Sequence, residues 1–297
     1  MDEGEQRLEG VSYAPSPPEE FCGREKERER LSTILSRAAE HGQAVMISGP
    51  PGFGKSSLLN RLEYEVRARP GGRQSPVLRA EVFDLPGMIF SAFRELLNDL
   101  RRSSASTRSG SIPDVESMRE TVRYASDVFE KYAAPVEPVG LLPKDGEEIV
   151  GVFARSPEVG YDHVHQAFEE LLRELGREMS MAGSVAAVLI DDVHLASNHD
   201  RRLLRDVVRD LPPGILLVFT CRTEDGAGSG YAAMREEIRE LGIVEVQLSG
   251  MQRHEIHELG ERRFHLSIDN AAAVLLEEVS GDPFGLMACF NALYSRG

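Results

Sequence analysis

Apolar positions along the chain follow two rhythms. One is the spacing of three and four that gathers side chains on a single helix face; the other is the short unbroken run that suits a strand buried on both sides. The first helical stretch is about 24–41, where Leu31, Ile34, Leu35 and Ala38 share a face between charged neighbours. Ala-Val-Met-Ile-Ser at 44–48 is the first unbroken run, and it ends in a glycine-rich turn. A second helix is expected from Ser56 to about Arg69, stopped by Pro70-Gly71-Gly72. Val77 to Phe83 predicts a second strand, less apolar than the first because Arg79 and Glu81 interrupt it.

Ile89 to Leu100 and Met118 to Tyr132 carry helical patterns on either side of a Ser/Arg/Gly-rich loop, and 133–160 is punctuated by Pro and Gly with no period. The stretch 102–160 is therefore expected to be a long irregular insertion, a lid or a mobile connection. Order returns with Val164, Phe168, Leu171, Leu172 and Leu175, a helical stripe ahead of the apolar run Val185–Ile190, which ends in Asp191-Asp192. A further helix, marked by Leu203, Leu204, Val207, Val208 and Leu211, leads to the run Ile215–Thr220, and a last strand is expected at Val244–Leu248. Strands alternating with helices predict an α/β fold with a mostly parallel sheet. After Leu248 the strand signals stop, and 252–264, 270–279 and 283–294 predict three helices. The chain is thus expected to divide into an acidic tail without structure at 1–20, a core at 21–249 and a helical lid at 250–297.

Charge narrows the function classes. Thirty-four Lys and Arg against 49 Asp and Glu leave a net charge of -15 over 297 residues. Duplex binding is mostly basic side chains neutralising phosphates, so non-specific nucleic-acid binding by the whole surface is not expected, nor is attraction to anionic membranes. No apolar run reaches the ~18 residues a bilayer span needs, and the acidic first twenty residues do not resemble a signal peptide; the expected location is the cytoplasm. Cys22, Cys221 and Cys289 are far apart and form no C-x-x-C, which argues against a disulfide framework or a zinc site. His163-x-His165 and His254-x-x-His257 lack a third ligand at a convincing distance and read as surface residues.

The chemistry concentrates where the first apolar run ends. Gly49-Pro50-Pro51-Gly52-Phe53-Gly54-Lys55-Ser56 fits G-x-x-x-x-G-K-[ST] between a strand and a helix, with Ser57 next in the helix. Glycines let the backbone curl so that successive N–H groups face a phosphate, and the following helix adds its positive end. Lys55 would then reach the β- and γ-phosphates, and the Ser56 hydroxyl would be a magnesium ligand. Val188-Leu-Ile-Asp191-Asp192 delivers two carboxylates at a strand's carboxyl end, the edge where open α/β sheets bind ligands. Asp191 is assigned to magnesium and Asp192 to the attacking water, with Lys55 and Arg222 completing the catalytic set. At the end of Leu216-Leu-Val-Phe-Thr220-Cys-Arg222, Thr220 or Arg222 could sense the γ-phosphate, and the arginine would also offset charge there. His194 follows the acidic pair closely enough to stand near the same phosphate.

Five motifs in order resemble one known family. Phe21-Cys-Gly23-Arg24-Glu25 is similar to the "F-x-G-R-E" opening of the AAA-like ATPases used as regulatory switches, the signal-transducing or STAND class. The resemblance continues through the phosphate loop, through Leu189-Ile-Asp191-Asp192-Val-His194 as the "h-h-D-D-x-H" form, through the strand ending in Arg222 as the sensor arginine, and through Gly281-Asp-Pro283 as the "G-x-P" motif of the lid. It implies a five-stranded sheet of order 5-1-4-3-2 and a lid that closes on the nucleotide. It further implies that backbone around Phe21, Gly23 and Arg24 borders the adenine and that Pro283 packs near the base or sugar. Where relatives continue with "H-W-A-D" this chain has His194-Leu-Ala-Ser197, so the roles of that Trp and Asp do not carry over.

The function this implies is a magnesium-dependent ATPase module working as a nucleotide-driven switch, with ATP and ADP as ligands and slow turnover. A protein partner or a missing effector region is expected, since the chain stops just past the third lid helix, and nucleotide-dependent homo-oligomerisation fits the class. The competing readings are an origin-recognition or clamp-loader-like AAA+ ATPase acting on DNA, which the acidic charge disfavours, and a nucleotide-gated scaffold with negligible turnover. A small-molecule kinase has the least support, because no acceptor site is visible.

Overall fold

The computed structural model describes residues 21–68, 75–82, 90–105, 115–132, 157–223, 230–279 and 281–294. Five strands, β1 (Gln43–Gly49), β2 (Val77–Glu81), β3 (Ala186–Asp191), β4 (Ile215–Arg222) and β5 (Val244–Gln247), join into one sheet in the order β2-β3-β4-β1-β5. Every neighbouring pair is parallel, and the order is the expected 5-1-4-3-2 read from the other edge. Position in the sheet explains composition. The central strands β3 and β4 are covered on both faces and are apolar almost throughout, whereas β2 and β5 lie at the edges, where Arg79, Glu81 and Glu245 keep access to water.

Each face carries its own helices. On one, α1 (Glu25–Ala38) and α2 (Lys55–Arg67) pack Leu31, Ile34, Leu58 and Leu62 against Val45, Ile47, Leu189 and Val218. On the other, α3 (Ser91–Ala105), α4 (Val115–Tyr132), α5 (Pro157–Met181), α6 (Asn198–Arg209) and α7 (Gly230–Glu240) share a core with Met46, Val188, Ile190, Leu217 and Phe219. The period of two along a strand therefore assigns faces. Arg79, Glu81, Asp191 and Thr220 have the parity of Val77, Leu189 and Val218 and point to the side of α2.

The described part of the stretch 102–160 is helical. α4 packs on α5, burying Met118, Val122, Ala125 and Phe129, and α5 begins at Pro157; 106–114 and 133–156 lie outside the described residues, as do the tail 1–20 and Phe83 at the expected end of β2. α8 (Arg253–Phe264), α9 (Asn270–Val279) and α10 (Pro283–Tyr294) follow the sheet as predicted, around a separate small core of Met251, Ile256, Leu259, Phe264, Leu286 and Phe290. α8 opens on a capping box between Gln252 and Glu255, and α10 opens on Pro283 at the first helical position, where a missing N–H costs nothing. Among the described residues no helix is long and apolar enough to cross a membrane.

Gly214 links these layers. Its N–H donates to Ala38 O and its carbonyl accepts from Ala186 N, both at 2.8 Å, while its φ of 83° lies in the left-handed region. A Cβ there would stand 2.5 Å from Gly176 O of α5. Gly214→Ala is expected to destabilise the fold by about 2–4 kcal/mol, with an unchanged denaturant slope in urea unfolding.

Candidate functional site

The loop after β1 curls because Gly52 and Gly54 take φ of 81° and 83°, a conformation that side chains rarely adopt. Gly54 is the N-cap of α2, so Lys55, Ser56 and Ser57 form that helix's first turn with their N–H groups at its positive end. Lys55 is 6% exposed. Its ammonium donates to Gly49 O and Pro50 O, each at 2.8 Å, so its described hydrogen bonds all go to neutral carbonyls of its own loop. Burial lowers the Lys55 pKa; the charges of Asp192 and Asp191 oppose that shift, and Arg222 adds to it. A buried cation held by neutral carbonyls with two carboxylates in range is a donor set suited to a polyphosphate and its metal.

The carboxylates come from the end of β3. Asp191 is 6% exposed and accepts a short hydrogen bond from the Thr220 hydroxyl of β4 through Oδ1, with Arg79 Nη2 3.7 Å from Oδ2. Thr220 Oγ1 in turn accepts from Asp192 N at 2.9 Å. One hydroxyl thus fixes the side chain of the first aspartate and the backbone of the second. Asp192 takes φ 57°, turning the chain out of the strand into a 3-10 turn at Val193–Leu195. Its Oδ2 lies 3.4 Å from Arg222 Nη2 and its Oδ1 3.7 Å from His194 Nδ1. Lys55, Asp191, Asp192 and Arg222 are therefore brought together, with His194 beside them.

The opening motif and the helical unit α8–α10 reach the same loop. Phe21 packs against the α1–α2 core, while Gly23 and Arg24 bond to α8 through Glu258 and Glu255. An added Cβ on Gly54 would lie 3.8 Å from Pro283 Cγ, and one on Gly52 would lie 3.2 Å from Phe284 Cβ and 3.3 Å from Asp282 Oδ1. Pro51 and Phe53 complete the loop, exposed and half-buried respectively. The site is a glycine loop and helix N-terminus, a buried lysine, two strand-end acids and an arginine, roofed by a helical unit. Residues 20–219 match the AAA ATPase domain family. This chain belongs to that family.

Among curated proteins, the AAA ATPase domain chain is similar to the Holliday junction branch migration complex subunit RuvB of Anaeromyxobacter sp. (strain Fw109-5), 34% identical over 123 residues, 39% of this chain and 35% of that protein. It is also similar to RuvB of Salinibacter ruber, 35% identical over 78 residues, 25% of this chain and 22% of that protein. The matches therefore span about a third or less of those relatives. Among solved structures, the Aeropyrum pernix ORC2 protein in its ADPNP-ADP complexes superposes with a TM-score of 0.51 at 16% identity, over 95% of this chain and 64% of that one, a likeness of fold.

Several residues of this AAA ATPase domain escape the sequence motifs. Arg79 and Glu81 of β2 stand on the α2 side, Glu81 in register with Asp191, and the Glu81 pKa is raised by burial and then by Asp191, Asp192 and Glu95. Their spacing of two and four from Val77, on the same face of the strand, was the available signal. Glu255 of α8, 5% exposed, looks in the sequence like an ordinary acid in the first turn of a helix, yet it binds the opening motif. Of the histidines set aside, His254 comes together with Glu25 and Glu255, their ligand atoms within 4.8 Å of one another. Both Glu255 oxygens already accept backbone N–H groups, from Arg24 and Gln252.

Proposed function

We propose that this AAA ATPase domain binds ATP with magnesium and hydrolyses it slowly, and that the nucleotide state switches the position of its lid, as in the signal-transducing class. The observation that carries the reading is the buried Lys55 ammonium, held by loop carbonyls at 2.8 Å with the charges of Asp192 and Asp191 near enough to act on it. Ser56 and Asp191 would hold the magnesium, which when bound supplies positive charge to the phosphate oxygens. Lys55 and the N–H groups at the start of α2 bind the β- and γ-phosphates. Asp192 orients the attacking water and takes its proton, and Arg222 turns from Asp192 to the transferred phosphate. Backbone at Phe21, Gly23 and Arg24 together with Pro283 borders the base.

A second reading is supported by the RuvB relatives, whose name is that of a Holliday junction branch migration complex subunit: an ATPase acting on DNA. The net charge of -15 weighs against it unless a local surface supplies the phosphate contacts. Both readings allow nucleotide-dependent self-association and a protein partner or effector region as the output. One experiment separates them: phosphate release with ATP and magnesium, alone and with duplex or four-way-junction DNA at two salt concentrations. DNA-independent turnover supports the switch, and salt-sensitive stimulation by DNA supports the alternative. Bound ATP without turnover in any condition supports a nucleotide-gated scaffold.

A further inference from the structure

Arg24 stands in the one-residue gap between the opening glycine and α1, with φ 62° and ψ 31°, and is 4% exposed. Its guanidinium bonds in two directions. Nη2 donates to Phe53 O of the phosphate loop at 3.3 Å and to Ser249 O at 2.6 Å, and Ser249 lies in the short connection between β5 and α8 that joins core to lid. Nη1 donates to Glu27 Oε1 at 3.3 Å. The backbone of the same residue is held by the lid: Arg24 N donates to Glu255 Oε1 at 2.6 Å, and Glu255 Oε2 accepts Gln252 N at 2.7 Å. Gly23 N adds a bond to Glu258 Oε2 at 3.2 Å. Gly23 has room for no side chain, since a Cβ would lie 2.8 Å from Glu255 Oε1.

A buried guanidinium is costly to desolvate, so filling space is a poor account of it; an apolar side chain would do that better. What an apolar side chain lacks is a donor nitrogen able to hold the phosphate loop and the β5–α8 connection at once, as Nη2 does here. The identity of one carbonyl is the informative part. Phe53 C=O and Gly54 N–H belong to a single planar peptide unit. When the loop turns Gly54 N–H toward a phosphate, Phe53 O must turn with it, and the atom that Arg24 holds moves. Ser249 O, at the last residue before the lid, and the Glu255 carboxylate in its first helix are tied to the same residue.

We propose that Arg24 is a positioning residue, a strut that passes occupancy of the phosphate loop to the lid, with Glu255 as the lid's grip on it. The inference rests on the nucleotide-binding reading above and deepens it. Arg24 touches no phosphate in this account; it acts through the Phe53–Gly54 peptide on one side and through Ser249 and α8 on the other.

The chain contains no tryptophan, so a single Phe284→Trp change places a reporter on α10 where that helix meets Gly52. In this parent, binding is followed by the anisotropy of a fluorescent ATP analogue, and lid response by tryptophan emission on adding ATP and magnesium. Thermal midpoints accompany both. Arg24→Lys keeps the charge but has a side chain one bond too short to put its nitrogen where Nη2 sits, and it has no second nitrogen for Glu27. It is expected to weaken nucleotide binding by about tenfold and to uncouple the emission change from binding at saturating nucleotide. Glu255→Gln leaves the loop side intact. Its predicted signature is nucleotide affinity within about threefold of the parent with the emission change lost, a split that a purely structural defect would not produce. Should Arg24→Lys fail to fold, Glu255→Gln alone decides. The strut is overturned if the folded variants show the parent's emission change at saturation, whatever their midpoints. A wild-type chain that binds no nucleotide would instead remove the ATP reading itself, so the two failures are told apart.

Discussion

Lys55→Ala is expected to abolish ATP binding over the concentration range in which the wild type saturates. Removing one partner of a buried charge pair costs about 2–5 kcal/mol, a loss of roughly 30-fold to several thousand-fold in affinity. Phosphate release should fall to background with it. The stability of the fold should not fall in parallel. The Lys55 pKa is lowered, and burial is the leading cause, so the charged amine is less comfortable folded than unfolded near neutral pH. The variant's unfolding midpoint should therefore match or exceed that of the wild type. The sign reverses the usual lysine case: as pH rises toward the ordinary 10.5, the folded wild type sheds this proton before the unfolded chain does and gains stability relative to the variant. Calorimetric titration with ATP and magnesium, with urea unfolding at neutral and alkaline pH, measures both halves. A variant that binds ATP as tightly as the wild type would overturn the phosphate site.

How much of this was legible in the sequence depends on the scale of each feature. β1, β3 and β4 are buried on both faces, so they read as unbroken apolar runs, and the phosphate loop and acidic pair were found because they are contiguous in the chain. The edge strands were harder: β2 carries Arg79 and Glu81 because one side of an edge strand stays near water. Thr220 was visible as a polar residue ending a strand, but its double role, donating to Asp191 and accepting from Asp192 N, needs the β3–β4 pairing to be known. The partnership of Arg24 with Glu255 spans 231 positions and has no local signature. In the chain, Arg24 is one of a run of charges and Glu255 one acid of a helix start; only tertiary packing makes them a buried pair. The helix α4 was predicted from its period, whereas its packing on α5 could not be, because the connection between them carries no pattern.

Asp192→Asn is expected to separate binding from turnover. The substitution changes one atom type in a side chain whose backbone sits at φ 57°, a region that Asn tolerates as well as Asp, and the Asp192 N–H bond to Thr220 at 2.9 Å is untouched. The fold should hold. ATP affinity should stay the same or rise, because a negative charge close to Lys55 is removed from the neighbourhood of a polyanion. Turnover should fall by about 10²–10⁴-fold, the usual contribution of a positioned acid–base group. The partner matters to how this is read. Asp192 Oδ2 and Arg222 Nη2 are 3.4 Å apart, so part of any effect could come from releasing the arginine. Arg222→Ala distinguishes the two: loss of the phosphate-sensing cation should weaken ATP binding as well as turnover, whereas Asp192→Asn should lower turnover alone. Equal phosphate release from wild type and Asp192→Asn, both near zero with ATP bound, would replace the hydrolytic switch with a nucleotide-gated scaffold. Equal release at a measurable rate would move the general base elsewhere, and Glu81, in register with Asp191 on the same face of the sheet, would be the next carboxylate to test.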